Sequence, residues 1–129
     1  METIRIPSAD LHFSRIGLGT WAMGGWMWGG TDEQESIRTI HSAIERGITL
    51  IDTAPVYGFG KSEEIVGKAL ASGGLRQRVV IATKVGLDWT NGQPFRNANR
   101  RRIFAALIRW MISRSIIIGS LHQPGCSSG

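Results

Sequence analysis

Short apolar runs alternate with helical patterns along the chain. Residues 16–21 (IGLGTW), 48–53 (ITLIDT) and 79–84 (VVIATK) are predicted as buried strands, the latter two because they are rich in β-branched residues. Helical segments separate them, and a strand–helix–strand series of this kind forms a parallel sheet with its helices packed outside. The predicted fold class is therefore α/β, and residues 3–13 are predicted as a hairpin that precedes the first βα unit.

Capping signals mark the ends of two helices. Asp32 is the predicted N-cap of the first, Glu35 is placed to complete a capping box, and Gly47 is the predicted C′ residue. The second helix begins near Ser62, and residues 73–74 (Gly-Gly) end it. The first helix has one apolar face, formed by Ile37, Ile40, Ala43 and Ile44.

The pattern is weaker after Lys84. Residues 86–99 (GLDWTNGQPFRNAN) are predicted as a loop, because Asn, Gly and Pro interrupt any regular period. Residues 100–114 favour a helix, and the apolar triplet at 116–118 favours a fourth strand.

Length and composition indicate one globular domain. The chain has 129 residues, of which 42% are hydrophobic, and no apolar run approaches the roughly 18 residues of a membrane span. Its N-terminus lacks the basic and apolar regions of a signal peptide. The single cysteine, Cys126, has no partner for a disulfide, which fits a reducing compartment. We therefore expect a cytoplasmic protein that does not enter a membrane.

Charge is unevenly distributed. All ten acidic residues lie within residues 1–88, whereas residues 89–129 contain six arginines and no acid. A basic tail of this kind can bind nucleic acid, but it carries few aromatic residues and no nucleic-acid motif. Nucleic-acid binding is therefore a minor alternative.

Three polar residues meet at one predicted edge of the sheet. Asp52 ends the second predicted strand and Lys84 ends the third, which we expect to be its neighbour. Tyr57 lies in the loop that follows the second strand. Parallel α/β proteins build their sites at this carboxyl edge. An ammonium held by a carboxylate would stabilise the phenolate, so that the phenol could protonate a carbonyl oxygen. A purely structural interpretation is the alternative: Asp52 would cap a turn, Lys84 would be exposed to solvent, and Tyr57 would pack against its neighbours.

Residues 16–103 resemble the N-terminal part of the bacterial aldo-keto reductases. The resemblance rests on a G-x-G-T-W strand, a D-T-A-x-x-Y-G-x-G-x-S-E-x-x-V-G-x-A-L signature beginning at Asp52, and an A-T-K strand end, in that order and spacing. It implies a (β/α)8 barrel, of which this chain carries the N-terminal half: the hairpin and three to four βα units.

The resemblance also implies a function. Family members reduce aldehydes and ketones with NADPH and no metal, and their tetrad of Asp, Tyr, Lys and His would correspond to Asp52, Tyr57, Lys84 and, less closely, His122. Tyr57 would be the general acid. Gly19, Thr20, Trp21 and Asp52 would lie at the nicotinamide, and Trp21, Trp26 and Trp28 are candidate walls of a substrate pocket, with ordinary packing as the alternative.

Two departures from the family limit these expectations. An eight-unit barrel takes about 250 residues, and the loops expected to hold the cofactor phosphates belong to its second half. We therefore expect an inactive fragment whose exposed edges favour oligomers or aggregates. A non-catalytic βα module that binds a partner is the alternative.

The second departure is the tail. We divide the chain into a partial reductase domain at 1–103 and a divergent basic, Ser/Gly-rich tail at 104–129. Aligning HQPG with the family's H-x-P-D places His122 on the tetrad histidine. A slip of the reading frame near Phe104 is the rival interpretation.

Overall fold

A computed structural model describes residues 1–101, 103–105 and the backbone of 116–120. Residues 100–101 and 103–105 are helical. The remaining regular elements are, in chain order, β1 (Thr3–Ile6), β2 (Leu11–Ser14), β3 (Gly17–Gly19), α1 (Glu33–Glu45), β4 (Leu50–Asp52), α2 (Lys61–Leu70), β5 (Val80–Thr90), β6 (Gln93–Asn97) and β7 (Ile116–Ser120). Short 3-10 turns lie at Pro7–Ala9, Ala22–Gly24 and Leu75–Arg78.

A parallel sheet organises the structure. Its strand order is β3-β4-β5-β7, with Gly19 level with Asp52, Asp52 level with Ala82, and Ala82 level with Ile117. The predicted parallel βα series is therefore confirmed, including the fourth strand. The predicted N-terminal hairpin is also confirmed, since β1 and β2 pair antiparallel.

Helix α1 has the predicted ends but not the full capping box. The side chain of Asp32 accepts a hydrogen bond from the backbone N–H of Glu35 at 2.8 Å, whereas the carboxylate of Glu35 contacts Arg38 instead of reaching back. At the other end, the N–H groups of Gly47 and Ile48 bond to carbonyls of the last turn, which is a Schellman motif with Gly47 at φ 87°.

The prediction of a loop over residues 86–99 is wrong. Strand β5 continues to Thr90 and turns through Asn91 and Gly92, both at positive φ, into the antiparallel strand β6. A two-residue Asn-Gly loop of this kind is a strong hairpin signal. Pro94 obscured it, but β6 lies at the edge of the sheet path, where proline is tolerated.

The core fixes which strand residues face the site. Ile51 and Ile81 are at most 1% exposed and pack with residues of both helices. Successive side chains in a strand point to opposite faces, so Asp52 and Lys84 project on the face away from the helices. No helix in the described part of the chain is long and apolar enough to cross a membrane.

Candidate active site

Asp52 and Lys84 form an ion pair at the carboxyl edge of the sheet. The Lys84 Nζ lies 2.7 Å and 2.8 Å from the two Asp52 carboxylate oxygens and 3.0 Å from the carbonyl oxygen of Thr53. Lys84 stands two residues beyond the partner of Asp52 in the strand register, so its long side chain reaches back across that distance. Three oxygen acceptors therefore hold the ammonium in one place.

The Tyr57 ring is in contact with a cation and with another aromatic ring. The Lys84 Nζ is 5.0 Å from the centroid of the Tyr57 ring, a cation–π distance. The ring of Trp21 stacks on Tyr57 with centroids 5.8 Å apart and planes inclined by 22°. The structure thus brings together the three residues that the sequence placed at this edge, with the ammonium over the face of the phenol ring.

The backbone beneath Tyr57 is fixed by a contact between two glycines. A Cβ on Gly24 would lie 2.7 Å from the Tyr57 carbonyl carbon and from the Gly58 nitrogen, and a Cβ on Gly58 would collide with Gly24. Gly58 also has φ 61°. Only glycine permits the loops after β3 and β4 to approach this closely.

Thr20, predicted as a cofactor contact, directs its side chain into the protein, and its contact with a cofactor stays a prediction. Its side chain is fully buried, and its hydroxyl lies 3.0 Å from the Asp52 carbonyl and 2.7 Å from the Ser62 hydroxyl. The side chain is therefore occupied inside the protein. Gly19 and Trp21 remain open: nothing lies within 4 Å of a Cβ position on Gly19, and Trp21 is 45% exposed.

The three tryptophans fall into two groups. Trp21 makes an edge contact with Trp28 at 5.9 Å, beside Tyr57. Trp26 instead packs on Phe59 at 4.9 Å, and Phe59 on Trp89 of the β5–β6 hairpin at 5.9 Å. Whether the three predicted tryptophans line a substrate pocket stays a prediction, and the hairpin contributes an aromatic residue that sequence reasoning missed.

A small cavity of about 50 Å³ lies below this hairpin, beside Lys84. Glu63 lines it and is 4% exposed, and its carboxylate accepts a hydrogen bond from Thr83 at 3.0 Å. The hairpin end of the cavity holds Asp88, which accepts bonds from its neighbour's N–H and from the Asn97 amide. Glu63 lies in the first turn of α2, where a glutamate is ordinarily exposed to solvent, so the sequence did not indicate its burial.

His122, the candidate for the fourth tetrad position, lies outside the described residues. The basic tail lies largely outside them as well.

A sequence model of the Aldo/keto reductase family matches residues 15–127. The chain belongs to the aldo/keto reductase family. The match extends beyond the predicted domain boundary at 103, and β7 pairs with β5 beyond it as well. The boundary and the frame slip stay predictions.

Curated relatives agree with this assignment. The chain is 63% identical over 103 residues to "Aldo-keto reductase YhdN" of Bacillus subtilis. The aligned region covers 80% of this chain and 31% of that protein. It is 46% identical over 128 residues to the "NADH-specific methylglyoxal reductase" of Escherichia coli, covering 97% of this chain and 39% of that protein. The chain thus spans less than half the length of the relatives it matches.

Solved structures identify the architecture. The glycerol dehydrogenase AKR11B4 from Gluconobacter oxydans superposes with a TM-score of 0.74 and 46% identity, over 98% of this chain and 40% of that one. An aldo-keto reductase from Klebsiella pneumoniae in complex with NADPH superposes with a TM-score of 0.60 and 32% identity, over 85% of this chain and 35% of that one. The parallel sheet is accordingly the N-terminal half of a (β/α)8 barrel, as expected from the sequence.

Proposed function

We propose that Asp52, Tyr57 and Lys84 form the proton-donating part of a carbonyl reductase site, with Tyr57 as the general acid. The observation that carries this proposal is the Lys84 ammonium, held by both Asp52 oxygens at 2.7 Å and 2.8 Å while it lies 5.0 Å from the Tyr57 ring centroid. A fixed positive charge beside the phenol favours the phenolate that remains after the proton is given up.

The reaction is the reduction of an aldehyde or ketone to an alcohol. When bound, a nicotinamide cofactor supplies the hydride to the carbonyl carbon, and Tyr57 gives its proton to the carbonyl oxygen. Asp52 orients the Lys84 side chain through both of its carboxylate oxygens. Gly19 and Trp21, on the open side of the same turn, are the residues of this chain that we place nearest the nicotinamide.

We propose NADPH as the cofactor, supported by the NADPH complex of the Klebsiella relative. The Escherichia coli relative is named for NADH, so the choice needs a direct comparison of both. Most cofactor-binding loops of the family are expected in the part of the relatives that this chain does not match. We therefore propose that the 129-residue chain alone turns over little or no substrate. We also propose that it resides in the cytoplasm.

A chimera tests the site without relying on this chain to bind the whole cofactor. Residues 1–103 would replace the corresponding N-terminal segment of the YhdN relative, which is 63% identical to this chain over 103 residues. We expect NADPH-dependent reduction of methylglyoxal by the chimera. Tyr57→Phe should lower kcat about 10²- to 10⁴-fold, the usual contribution of a positioned general acid, and leave NADPH affinity nearly unchanged.

Two controls make the result decisive. Phe59→Tyr adds a phenol in the same loop and should not restore turnover to Tyr57→Phe. A chimera that folds and binds NADPH but loses no activity in Tyr57→Phe would refute the assignment of Tyr57. Clear turnover by the unfused chain, abolished by Tyr57→Phe, would refute the expectation that it is inactive.

A second candidate function is a non-catalytic module that binds a partner. It is favoured by strand β3, which pairs with β4 but with no other strand of the described chain. The side chain of Ile16, which directly precedes β3, is also exposed. Size-exclusion chromatography distinguishes the cases: a defined oligomer supports the module, whereas a concentration-dependent aggregate supports an incomplete barrel.

Nucleic-acid binding by the basic tail would show a steep dependence of affinity on salt.

A further inference from the structure

Ser62 occupies a buried position where three backbone segments meet. It is the second residue of α2, and its side chain is fully buried. Its hydroxyl oxygen lies 2.9 Å from the Thr20 carbonyl oxygen, 2.7 Å from the Thr20 hydroxyl and 3.1 Å from the Thr53 hydroxyl. One hydroxyl group on a helix therefore contacts both turns that leave strands β3 and β4.

The bonding pattern of this group can be assigned from its partners. A carbonyl oxygen only accepts, so the Ser62 hydroxyl donates to the Thr20 carbonyl. By the same reasoning the Thr20 hydroxyl donates to the Asp52 carbonyl, which leaves the Thr53 hydroxyl to donate to the Ser62 oxygen. The 2.7 Å contact between the Thr20 and Ser62 oxygens shares one of these protons. All three side chains are 0% exposed, so water cannot replace a lost partner. Removing the Ser62 hydroxyl takes away the acceptor of the buried Thr53 hydroxyl, and a buried polar group without a partner is costly. The Thr20 carbonyl keeps its hydrogen bond from the Met23 N–H at 3.2 Å.

These contacts lie one residue away from the candidate site on both sides. Thr20 precedes Trp21, whose ring stacks on Tyr57. Thr53 follows Asp52, and its carbonyl oxygen accepts a hydrogen bond from the Lys84 ammonium at 3.0 Å. Shifting the Thr20 turn would therefore displace the ring that stacks on Tyr57, and shifting the Thr53 turn would displace the cation near it.

We propose that Ser62 is a positioning residue for the candidate site: its buried hydroxyl fixes the Thr20 and Thr53 turns and so holds Trp21 and Lys84 against Tyr57. The functional meaning of this inference rests on the proposed role of Tyr57 as the proton donor. The geometric part of the inference does not rest on that role, because every contact involved is within residues 20–84.

The composition of the chain provides a direct probe. Tyr57 is the only tyrosine, so a chain labelled with ¹³C in the tyrosine ring gives signals from this residue alone. The stacked Trp21 ring displaces those signals from their positions in the unfolded chain. Trp21→Leu removes the stacked ring and calibrates how much of the displacement Trp21 causes.

We expect Ser62→Ala to lose most of the displacement that Trp21→Leu removes, while the far-UV circular dichroism remains that of the folded protein. The matched control is Ser36→Ala. Ser36 is also a nearly buried serine near the N-terminus of a helix, but its hydroxyl donates to the Asp32 carbonyl, within its own helix turn. Ser36→Ala should leave the Tyr57 signals where they are.

Three outcomes would overturn the proposal: Tyr57 signals unchanged in Ser62→Ala, an equal change in Ser36→Ala, or no effect of Trp21→Leu. If Ser62→Ala does not fold, Ser62→Cys replaces it, because a thiol fills the same place with a weaker donor; unchanged signals there also overturn the proposal. The measurement requires no turnover, so failure of the proposed reaction would be seen separately and would leave this result standing.

Discussion

Gly24→Ala is expected to damage the candidate site and the fold together. The added methyl carbon would lie 2.7 Å from the Tyr57 carbonyl carbon and from the Gly58 nitrogen, and 2.8 Å from the Tyr57 oxygen. Non-bonded carbon contacts are most favourable at about 3.5–4.0 Å. The two loops would therefore have to separate by about 1 Å, and no flexible side chain is present to yield, because all three atoms belong to the backbone.

The cost follows from this geometry. Forcing an extra methyl group into a close-packed contact typically destabilises a protein by about 1–3 kcal/mol. With an unfolding entropy of about 2.1 cal/mol/K per residue, a chain of this length should lose about 4–11 °C in Tm. The Trp21–Tyr57 stack spans the same two loops, so it should be lost in the same variant.

Differential scanning fluorimetry and the ring signals of Tyr57 measure the two effects. Gly19→Ala, at the end of β3, is the matched control, because nothing lies within 4 Å of its Cβ position; its Tm should be close to that of the parent. If Gly24→Ala has the parental Tm and unchanged Tyr57 signals, the contact between the loops does not constrain the site, and the steric argument is wrong.

Three further predictions concern the helices and their ion pairs. Gly67→Ala, at an exposed position inside α2 with open space around it, should raise the free energy of unfolding by about 0.5–1 kcal/mol in urea titrations, and a decrease would contradict this. Asp32→Ala removes the N-cap of α1 and should cost about 1 kcal/mol in the same assay, whereas an unchanged midpoint would show that the cap is dispensable. Hydrogen bonds from Lys61 and then Lys68 lower the pKa of Glu33 to about 2; since the folded value lies below the unfolded one, this stabilisation is complete above about pH 4.5 and is lost as the pH falls towards 2. The Tm gap between the parent and Glu33→Gln should therefore close over that range, and a constant gap would exclude the linkage.

Much of the fold was accessible from the sequence because local signals agreed with the packing. The apolar runs at 48–53 and 79–84 became β4 and the parallel part of β5, and the Asp32 cap and Gly47 stop bound the first helix. The meeting of Asp52 with Lys84 followed from the same pattern, because both residues end neighbouring parallel strands.

What was missed depends on contacts between distant residues. The hairpin over 86–97 has an Asn-Gly turn signal, but its proline and its polar residues concealed the strands. The role of Ser62 has no local signal at all: near a helix start, serine normally indicates a cap or a solvated turn. The Ser62 hydroxyl is buried and contacts both Thr20 and Thr53 only because the turns after β3 and β4 lie close together in the fold.

The described contacts also separate the two halves of the proposed reaction. The groups that hold the Tyr57 phenol and its neighbouring charge come from residues 20–84, and each is satisfied within that segment: Lys84 by Asp52 and the Thr53 carbonyl, and the Thr20 turn by Ser62. The proposed positioning of Tyr57 therefore rests on contacts within the first three parallel strands, their turns and the start of α2. Hydride delivery depends on a cofactor whose expected phosphate loops lie in the part of the relatives that this chain does not match. Spectroscopy of Tyr57 in the chain and turnover in the chimera therefore examine different steps. A preorganised Tyr57 in a chain that turns over no substrate would agree with the positioning proposal and with the proposed inactivity of the chain alone.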